Sequence, residues 1–234
     1  MASTRFPGKP LAILAGKPMI QWVVEAARRS EIGDRVLVAT PDQAILDAVR
    51  DFQGQAVLTG NHHLSGTDRI AEVAAGCEAD VFVNVQGDEP LIAPETIRAC
   101  AQPLLDDPSV EMSSVWTECA EEEAELPSVV KVVTDQQDFA LYFSRHAIPF
   151  PRHGRMDPLK KHVGIYAFRR DVLLRFSRWA PTPLERAESL EQLRFLENGV
   201  RIKMARVAAS VIAVDTPEQA ALAHALLLGR QPEN

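Results

Sequence analysis

The chain has 234 residues, of which 46% are hydrophobic and 24% are charged, and its formal net charge is −7 at pH 7. This composition is typical of globular proteins and excludes a disordered or low-complexity chain. The acidic balance speaks against generic nucleic-acid binding. No apolar run approaches the ~20 residues of a membrane-spanning helix, and the N-terminus lacks the apolar core of a signal peptide. We therefore expect a cytoplasmic protein with no membrane and no nucleic acid among its partners.

Short apolar strands alternate with helices along the first half of the chain. In chain order the pattern predicts a strand over 35–40, a helix over 43–52, a strand over 55–58, a helix over 67–77, a strand over 80–85 and a helix over 94–105. Such alternation predicts an α/β fold with a largely parallel sheet that is covered on both faces.

The second half of the chain is less regular. Strand-like segments at 129–133, 162–168 and 201–207 are not evenly interleaved with helices, so we expect a mixed sheet. A helix is predicted over 184–198, and a last helix begins at Pro217 with Thr216 as its cap. No internal repeat and no Gly/Ser-rich linker occurs, which predicts a single domain over residues 1–234.

Two stretches of the chain are basic in spite of the negative net charge. Near the N-terminus, Ser3, Thr4, Arg5, Gly8 and Lys9 can offer backbone and side-chain donors to a triphosphate, although no GxxxxGK[ST] loop occurs. Without further context the stretch also fits an ordinary basic loop. Residues 141–170 hold seven Arg and Lys residues and a single acid. Both stretches suit a small, highly charged anion.

Two carboxylates stand where a metal ion could bind. Asp88 follows the strand predicted over 80–85, and ligands of open α/β sheets gather beyond the carboxyl ends of strands. Asp215 precedes the last helix, where a capping role is equally open. Paired carboxylates near basic loops match Mg²⁺, which takes hard oxygen ligands and completes its shell with substrate phosphates.

Eight sequence strings occur in order along residues 2–220, namely ASTRFPGKPL, SGTDR, VNVQGDEP, VKVV, ALYFSR, HVGIYAF, LEQLR and VDTPE. Together they resemble the 3-deoxy-manno-octulosonate (Kdo) cytidylyltransferase family. The resemblance implies a nucleotide-diphospho-sugar transferase-like (Rossmann-like) mixed sheet flanked by helices, a homodimer and Mg²⁺. It further implies transfer of CMP from CTP to the anomeric hydroxyl of Kdo, with release of pyrophosphate, for lipopolysaccharide biosynthesis. Two alternatives stay open: another 2-keto sugar acid as acceptor, such as 8-amino-Kdo or a sialic acid, or a catalytically inactive homologue.

The resemblance also implies a role for each matching residue. The catalytic positions are Lys9, Asp88 and Asp215, and the two aspartates are also the metal ligands. The positions that bind CTP are Ser3, Arg5, Lys9, Ser65, Gly66, Thr67 and Arg69. The positions that hold the sugar acid are Gln86, Arg145, His162, Tyr166, Glu191 and Gln192. Judged by its apolar strand alone, His162 fits a hydrogen-bonded core histidine better than a ligand-binding one.

The start of the chain departs from the family pattern. Family members begin with an apolar strand and a Pro-Ala-Arg-like turn ahead of the ASTR string, and this chain begins at Met1 within that turn. We therefore expect the chain as given to lack its first central strand and one arginine that faces phosphate. Losing about five buried apolar side chains at ~1.5–3 kcal/mol each removes roughly 10 kcal/mol, so we expect marginal stability.

Overall fold

The computed structural model of the chain describes residue 6 and residues 8–63, 65–154, 158–208 and 213–229. It divides the chain into two units, each with its own sheet structure. The first unit consists of Met1–Gly76, Val85–Arg98 and Val211–Asn234, and the second unit of Cys77–Asn84 and Ala99–Ser210. The expectation of one domain over residues 1–234 stays a prediction.

The elements alternate as the sequence pattern indicates. The strands are β1 (Ile13–Leu14), β2 (Lys17–Pro18), β3 (Leu37–Thr40), β4 (Gln55–Leu58), β5 (Val81–Asn84), β6 (Met112–Glu118), β7 (Lys131–Thr134), β8 (Ala140–Ser144), β9 (Lys160–Arg169) and β10 (Ile202–Arg206). The helices are α1 (Met19–Arg29), α2 (Gln43–Asp51), α3 (Gly66–Ala75), α4 (Pro94–Asp106), α5 (Arg170–Phe176), α6 (Pro183–Glu188), α7 (Gln192–Glu197) and α8 (Pro217–Leu228).

The first unit combines a parallel strand pair with three helices that follow short strands. Strands β3 and β4 pair in parallel, and β1 and β2 form an antiparallel hairpin whose turn uses positive φ angles at Ala15 and Gly16. The hairpin, α1 and α8 share a buried apolar cluster, which includes Leu14, Met19, Val214, Ala223 and Leu227. This packing fixes the start of α8, and with it the residues just before that helix.

The second unit contains a six-stranded mixed sheet built around β9. Strands β5, β6 and β7 each pair antiparallel with β9. On its other side β6 pairs in parallel with β10, and β8 pairs antiparallel with β7. Aromatic rings line the buried interior, with Phe168 stacked on Phe195 and Phe195 on Phe176. The predicted mixed α/β architecture is confirmed.

Most predicted elements agree with the structure within two residues at each end. The single helix predicted over 184–198 is wrong, because it is interrupted between α6 and α7 at Ser189, which adopts a left-handed conformation with φ 53°. The Arg145 guanidinium donates to the carbonyl oxygens of Glu188 and Ser189 at 2.7 and 3.2 Å. The Arg145 side chain, distant in sequence, therefore binds two carbonyl oxygens that would accept hydrogen bonds within the helix if it were continuous.

The described part of the chain holds no helix with both the length and the apolar character of a membrane span. The expectation that the chain lacks its first central strand stays a prediction.

Candidate functional site

Lys9 joins two carboxylates that are far from it in sequence. Its Nζ atom donates to Oδ2 of Asp88 at 2.6 Å and to Oδ1 of Asp215 at 2.9 Å, across separations of 79 and 206 residues. Lys9 opens a short 3₁₀ turn behind Gly8, whose φ of 69° is a left-handed conformation that suits glycine. The structure thus brings together, within the first unit, the three residues predicted to be catalytic.

The chain around Asp215 is fixed by hydrogen bonds to both sides. The Val214 N–H donates to the Asp88 carbonyl at 2.8 Å, and the Asp215 N–H donates to Oε1 of Gln219 at 2.7 Å. Thr216 supplies the helix cap, since its side chain accepts from the Gln219 N–H at 3.3 Å. The capping role left open for Asp215 therefore belongs to Thr216, and the Asp215 carboxylate is turned towards Lys9.

The charge balance of this group keeps Lys9 as an ammonium. Burial lowers the pKa of Lys9, but hydrogen bonds and attraction from Asp88 and Asp215 more than offset it, so the pKa lies above its usual value. The ammonium cation separates two carboxylates that would otherwise repel each other.

Glu89 is a buried acid beside this group, and the sequence analysis did not single it out. Only 5% of Glu89 is exposed, and its Oε2 has no hydrogen-bond partner in the described part of the chain. Burial raises the pKa of Glu89 to about 8, and the negative charge of Asp88 adds to the rise. The sequence shows Glu89 next to Asp88 in the Gly-Asp-Glu-Pro string. A loop has no hydrophobic periodicity, however, so nothing in the sequence indicated that the Glu89 side chain is buried.

The donor set fits a hard divalent cation. Asp88 and Asp215 present carboxylate oxygens on adjacent loops, and Mg²⁺ is commonly held by one or two carboxylates together with phosphates and water. No cluster of three or more His, Cys, Asp or Glu residues with metal-binding geometry occurs among the described residues. A site of this composition suits a metal that arrives with a phosphate ligand rather than one held entirely by protein.

The segment predicted to lie near the cytidine is held by helix α3. Ser65 caps this helix, its Oγ accepting from the Asp68 N–H at 3.1 Å, and Thr67 is fully buried in the first turn. Arg69 donates to Oγ1 of Thr59 at 2.6 Å and to the Gly60 carbonyl at 3.0 Å. The predicted residues therefore lie together at the start of α3, with Ser65 as its N-cap and Gly66, Thr67 and Arg69 within its first turns.

Glu72, on the same helix, also contacts Gly60, and no sequence signal indicated it. Its carboxylate accepts from the Gly60 N–H at 3.0 Å and from Nε2 of His63. The hydrogen bond from His63 is the main cause of a lowered Glu72 pKa. Because Arg69 and Glu72 lie three residues apart on α3, they hold the carbonyl and the N–H of Gly60 from the same helix face.

Three residues predicted to hold the sugar acid meet in the second unit. His162 and Tyr166 lie on β9 with ring centroids 5.4 Å apart, and the Tyr166 hydroxyl donates to Oε1 of Gln192 at 3.1 Å. Gln192 begins α7 and is 3% exposed, and its Nε2 has no hydrogen-bond partner in the described ranges. Glu191 immediately precedes this helix.

Gln86, another residue predicted to hold the sugar acid, belongs to the first unit, where its carbonyl accepts from the Glu89 N–H at 3.3 Å.

Arg145 has structural contacts that the sequence did not reveal. Its guanidinium donates to the carbonyls of Glu188, Ser189 and Pro127, and its backbone N–H donates to Oε2 of Glu188 at 3.0 Å. Across the described residues, no hydrogen bond joins Arg145 to His162, Tyr166 or Gln192. The predicted contact of Arg145 with a sugar carboxylate stays a prediction.

Ser114 is a further residue that the sequence analysis missed. Its Oγ lies 2.8 Å from Nε2 of His162 and 2.7 Å from the carbonyl oxygen of Ile165. Burial lowers the pKa of His162 to about 3, so the imidazole is neutral at physiological pH. A serine in an apolar strand was the available sequence signal.

Ser3 and Arg5, which were predicted to bind the triphosphate, lie outside the described residues.

Comparisons with known proteins agree with the predicted resemblance. A family model described as "Cytidylyltransferase" matches residues 1–202. The chain is 51% identical over 231 residues to a 3-deoxy-manno-octulosonate cytidylyltransferase from Pelobacter propionicus, covering 93% of this chain and 90% of the relative. It is 45% identical over 232 residues to the protein of that name from Escherichia coli, covering 99% of this chain and 94% of the relative.

Solved structures extend the comparison to the fold. The structure of a CMP:2-keto-3-deoxy-manno-octonic acid synthetase complexed with CTP superposes with a TM-score of 0.95 at 44% identity, covering 98% of this chain and 95% of the other. A Bacillus anthracis protein described as a "Putative Glucose-1-Phosphate Thymidylyltransferase" shares the fold at 14% identity, with a TM-score of 0.68, covering 99% of this chain and 91% of the other.

Proposed function

Because the chain belongs to the 3-deoxy-manno-octulosonate cytidylyltransferase family, we propose that it transfers CMP from CTP to the anomeric hydroxyl of Kdo. In this reaction the hydroxyl oxygen forms a bond to the α-phosphorus, the bond from that phosphorus to the β-phosphate bridge breaks, and pyrophosphate leaves. The hydroxyl proton passes to solvent or to a nearby base. The observation that carries the proposal is the convergence of Lys9, Asp88 and Asp215 in the first unit.

The first unit supplies charge neutralisation and orientation. CTP and Kdo are both anions, so their repulsion must be offset before the hydroxyl can approach phosphorus. The Lys9 ammonium is held ready by two carboxylates and can donate to a phosphate oxygen. Ser65 at the N-cap of α3 and Arg69 near its start are held in fixed positions, which suits a contact to the nucleoside, whereas Thr67 is fully buried. No covalent enzyme intermediate is required.

We propose that the divalent cation is Mg²⁺ and that Asp88 and Asp215 hold it together with the phosphates of CTP. When bound, Mg²⁺ supplies Lewis-acid polarisation of a phosphoryl oxygen and offsets the charge that develops on the leaving group. The two aspartates fit this role because both carboxylates face the same cation, Lys9 Nζ, in the structure. With the two carboxylates holding the cation, the Lys9 ammonium would be free to donate to a phosphate oxygen of CTP.

The second unit supplies recognition of the sugar acid. Gln192 offers an amide donor that has no partner among the described residues, and His162 is neutral and can exchange hydrogen bonds with hydroxyl groups. Arg145 uses three of its donors on backbone carbonyls, and a guanidinium has further N–H groups that can reach a carboxylate. Arg145 is therefore proposed to hold the sugar carboxylate while keeping its structural contacts.

The proposal includes a homodimer in the cytoplasm, acting in lipopolysaccharide biosynthesis, as the family resemblance implies. Two large apolar side chains of the second unit are candidates for contacts with a second copy of the chain, since Leu141 is 61% exposed and Phe150 is 84% exposed. Light scattering after size exclusion tests the dimer. We expect the mass of a dimer for the wild type and of a monomer for the Leu141→Ser, Phe150→Ser double variant, and a monomeric wild type would contradict it.

A substrate panel tests the function. Pyrophosphate release from CTP is measured with Kdo, 8-amino-Kdo, a sialic acid, and no acceptor. We expect the highest kcat/KM with Kdo and background release without an acceptor. A higher kcat/KM with either other sugar acid would change the substrate assignment, and no release with any acceptor would favour an inactive homologue.

A further inference from the structure

The contacts of Ser114 determine where the proton of His162 lies. Ser114 is fully buried on β6, and its Oγ has two close neighbours, Nε2 of His162 at 2.8 Å and the Ile165 carbonyl at 2.7 Å. A second carbonyl, that of Val163, lies further away at 3.4 Å. A serine hydroxyl has one proton to donate and two lone pairs to accept with. Only one arrangement of protons therefore satisfies the Ser114 hydroxyl, the His162 Nε2 and the Ile165 carbonyl together.

The carbonyl must receive the serine proton. If Oγ–H pointed at Nε2 instead, the Oγ and the Ile165 oxygen would stand 2.7 Å apart with no proton between them, which is repulsive. With the proton on the carbonyl side, Oγ can only accept from Nε2, so Nε2 must carry a hydrogen. The imidazole is neutral because it is buried, so its second nitrogen, Nδ1, then carries a lone pair.

The strand geometry explains why Ser114 and the carbonyl meet. The pairing register of β6 and β9 shifts between Ser114, which lies opposite Tyr166, and Val115, which lies opposite Val163. Gly164 and Ile165 therefore have no pairing partners on β6 and form a bulge in β9. The Ile165 carbonyl, released from strand pairing, contacts the Ser114 hydroxyl. The imidazole itself contacts the rings of Phe143 and Tyr166, at centroid distances of 4.9 and 5.4 Å.

We propose that Ser114 is a positioning residue that fixes His162 as the Nε2–H tautomer, so that Nδ1 faces the sugar acid as a hydrogen-bond acceptor. This rests on the proposed function, which places the sugar acid at His162. Gln192, whose Oε1 accepts from the Tyr166 hydroxyl, carries a buried amide Nε2 without a partner among the described residues, and this group supplies a donor. A hydroxyl group both donates and accepts, whereas a carboxylate only accepts. The pair therefore selects hydroxyl groups of the sugar and disfavours its carboxylate.

Nuclear magnetic resonance of the wild-type chain tests the tautomer without any substrate. In protein with ¹⁵N-labelled histidine, long-range proton–nitrogen spectra distinguish the protonated ring nitrogen from the unprotonated one. We expect His162 to show a protonated Nε2 and an unprotonated Nδ1 throughout pH 6–8. A protonated Nδ1 would overturn the proposal, whatever the chain does with Kdo.

Ser114→Ala tests the consequence, and Ser113→Ala is a matched control. Ser113 is equally buried on the same strand, but its hydroxyl donates to the carbonyl of Cys100 rather than contacting histidine. We expect Ser114→Ala to yield a mixture of tautomers and to raise KM for Kdo roughly tenfold, with kcat and KM for CTP within about twofold of wild type. Ser113→Ala should leave KM for Kdo unchanged.

The outcomes separate this proposal from the proposed function. An unchanged tautomer and an unchanged KM for Kdo in Ser114→Ala would show that Ser114 does not position His162. If Ser114→Ala fails to fold, the wild-type spectrum still decides the tautomer. A wild-type chain with the Nε2–H tautomer that transfers no CMP to Kdo would contradict the proposed function while supporting the tautomer assignment.

Discussion

The backbone N–H of Val214 donates to the carbonyl oxygen of Asp88 at 2.8 Å, and this bond sets two distant loops side by side. Asp215 follows directly, and its carboxylate and that of Asp88 share the ammonium of Lys9. The backbone therefore fixes the spacing of the two carboxylates before any ligand binds. Preorganisation of this kind favours catalysis because the charges need not be gathered during the reaction.

Replacing Lys9 by methionine should separate its two roles. Loss of a charged donor to phosphate should lower kcat/KM for CTP by roughly 10- to 150-fold. Because the ammonium no longer competes for the carboxylates, the nucleotide-free variant should bind Mn²⁺ more tightly than the wild type, as measured by electron paramagnetic resonance. Lys17→Met, which removes a partner of Glu25 in the same unit, is the control. Weaker Mn²⁺ binding in Lys9→Met would contradict the shared-oxygen arrangement.

Glu72→Gln tests whether α3 positions the nucleotide through residue 60. The amide retains a similar shape but loses the charge that accepts from Gly60 and His63, so KM for CTP should rise roughly 2- to 10-fold with kcat nearly unchanged. Steady-state kinetics at saturating Kdo measure both parameters. Glu78→Gln, an exposed glutamate of the second unit, should behave as wild type. A fall in kcat with constant KM would place Glu72 in a different role.

Arg145→Ala should affect stability as well as sugar use. Three backbone carbonyls lose a charged donor, so the free energy of unfolding should fall by about 2 kcal/mol, measured by urea denaturation. At a temperature where the variant is folded, KM for Kdo should rise while KM for CTP stays constant. Arg145→Lys should restore part of the stability. A variant as stable as wild type would show that these carbonyls do not depend on the guanidinium.

Stability should depend on pH through His162. The imidazole has a pKa of about 3 in the folded chain and 6.5 as its reference value, so between these values the unfolded chain binds more protons. The stability due to the neutral buried ring is therefore complete above the reference pKa and is lost as pH falls below it. From pH 7 to pH 5 this group should cost about 2 kcal/mol.

Denaturant unfolding at several pH values measures this dependence. His162→Asn should be less stable than wild type at pH 7, and the difference should shrink by about that amount at pH 5. His146→Asn, which removes an exposed imidazole, is the control for the loss of a histidine. A constant difference between wild type and His162→Asn would show that the ring titrates alike in the folded and unfolded chains.

Local signals predicted most of the fold. The strand over 55–58 and the cap of α8 at Thr216 were predicted correctly because short apolar runs and capping residues act over a few positions. The break at Ser189 was not predicted, because it depends on Arg145, more than forty residues away. Short elements such as the hairpin of β1 and β2 carry too few residues for a period to appear.

The site was predictable in composition but not in contacts. The sequence strings indicated Lys9, Asp88 and Asp215, and the structure brings these three together. Ser114 and Glu72 were missed because their importance arises from tertiary contacts, through a bulge in one case and a helix face in the other. Neither residue type nor spacing distinguishes them from ordinary buried serines and exposed glutamates.

Pyrophosphate release by Asp88→Asn and Asp215→Asn across a Mg²⁺ titration, with CTP and Kdo saturating for wild type, tests the central claim most directly. Metal polarisation is worth several kcal/mol, so each variant should lose roughly 100-fold or more of the wild-type rate at low Mg²⁺ while its melting temperature stays near that of wild type. The exposed Asp34→Asn should keep the full rate. A folded Asp88→Asn or Asp215→Asn variant with near-normal pyrophosphate release at low Mg²⁺ would contradict the assignment of that carboxylate as a metal ligand.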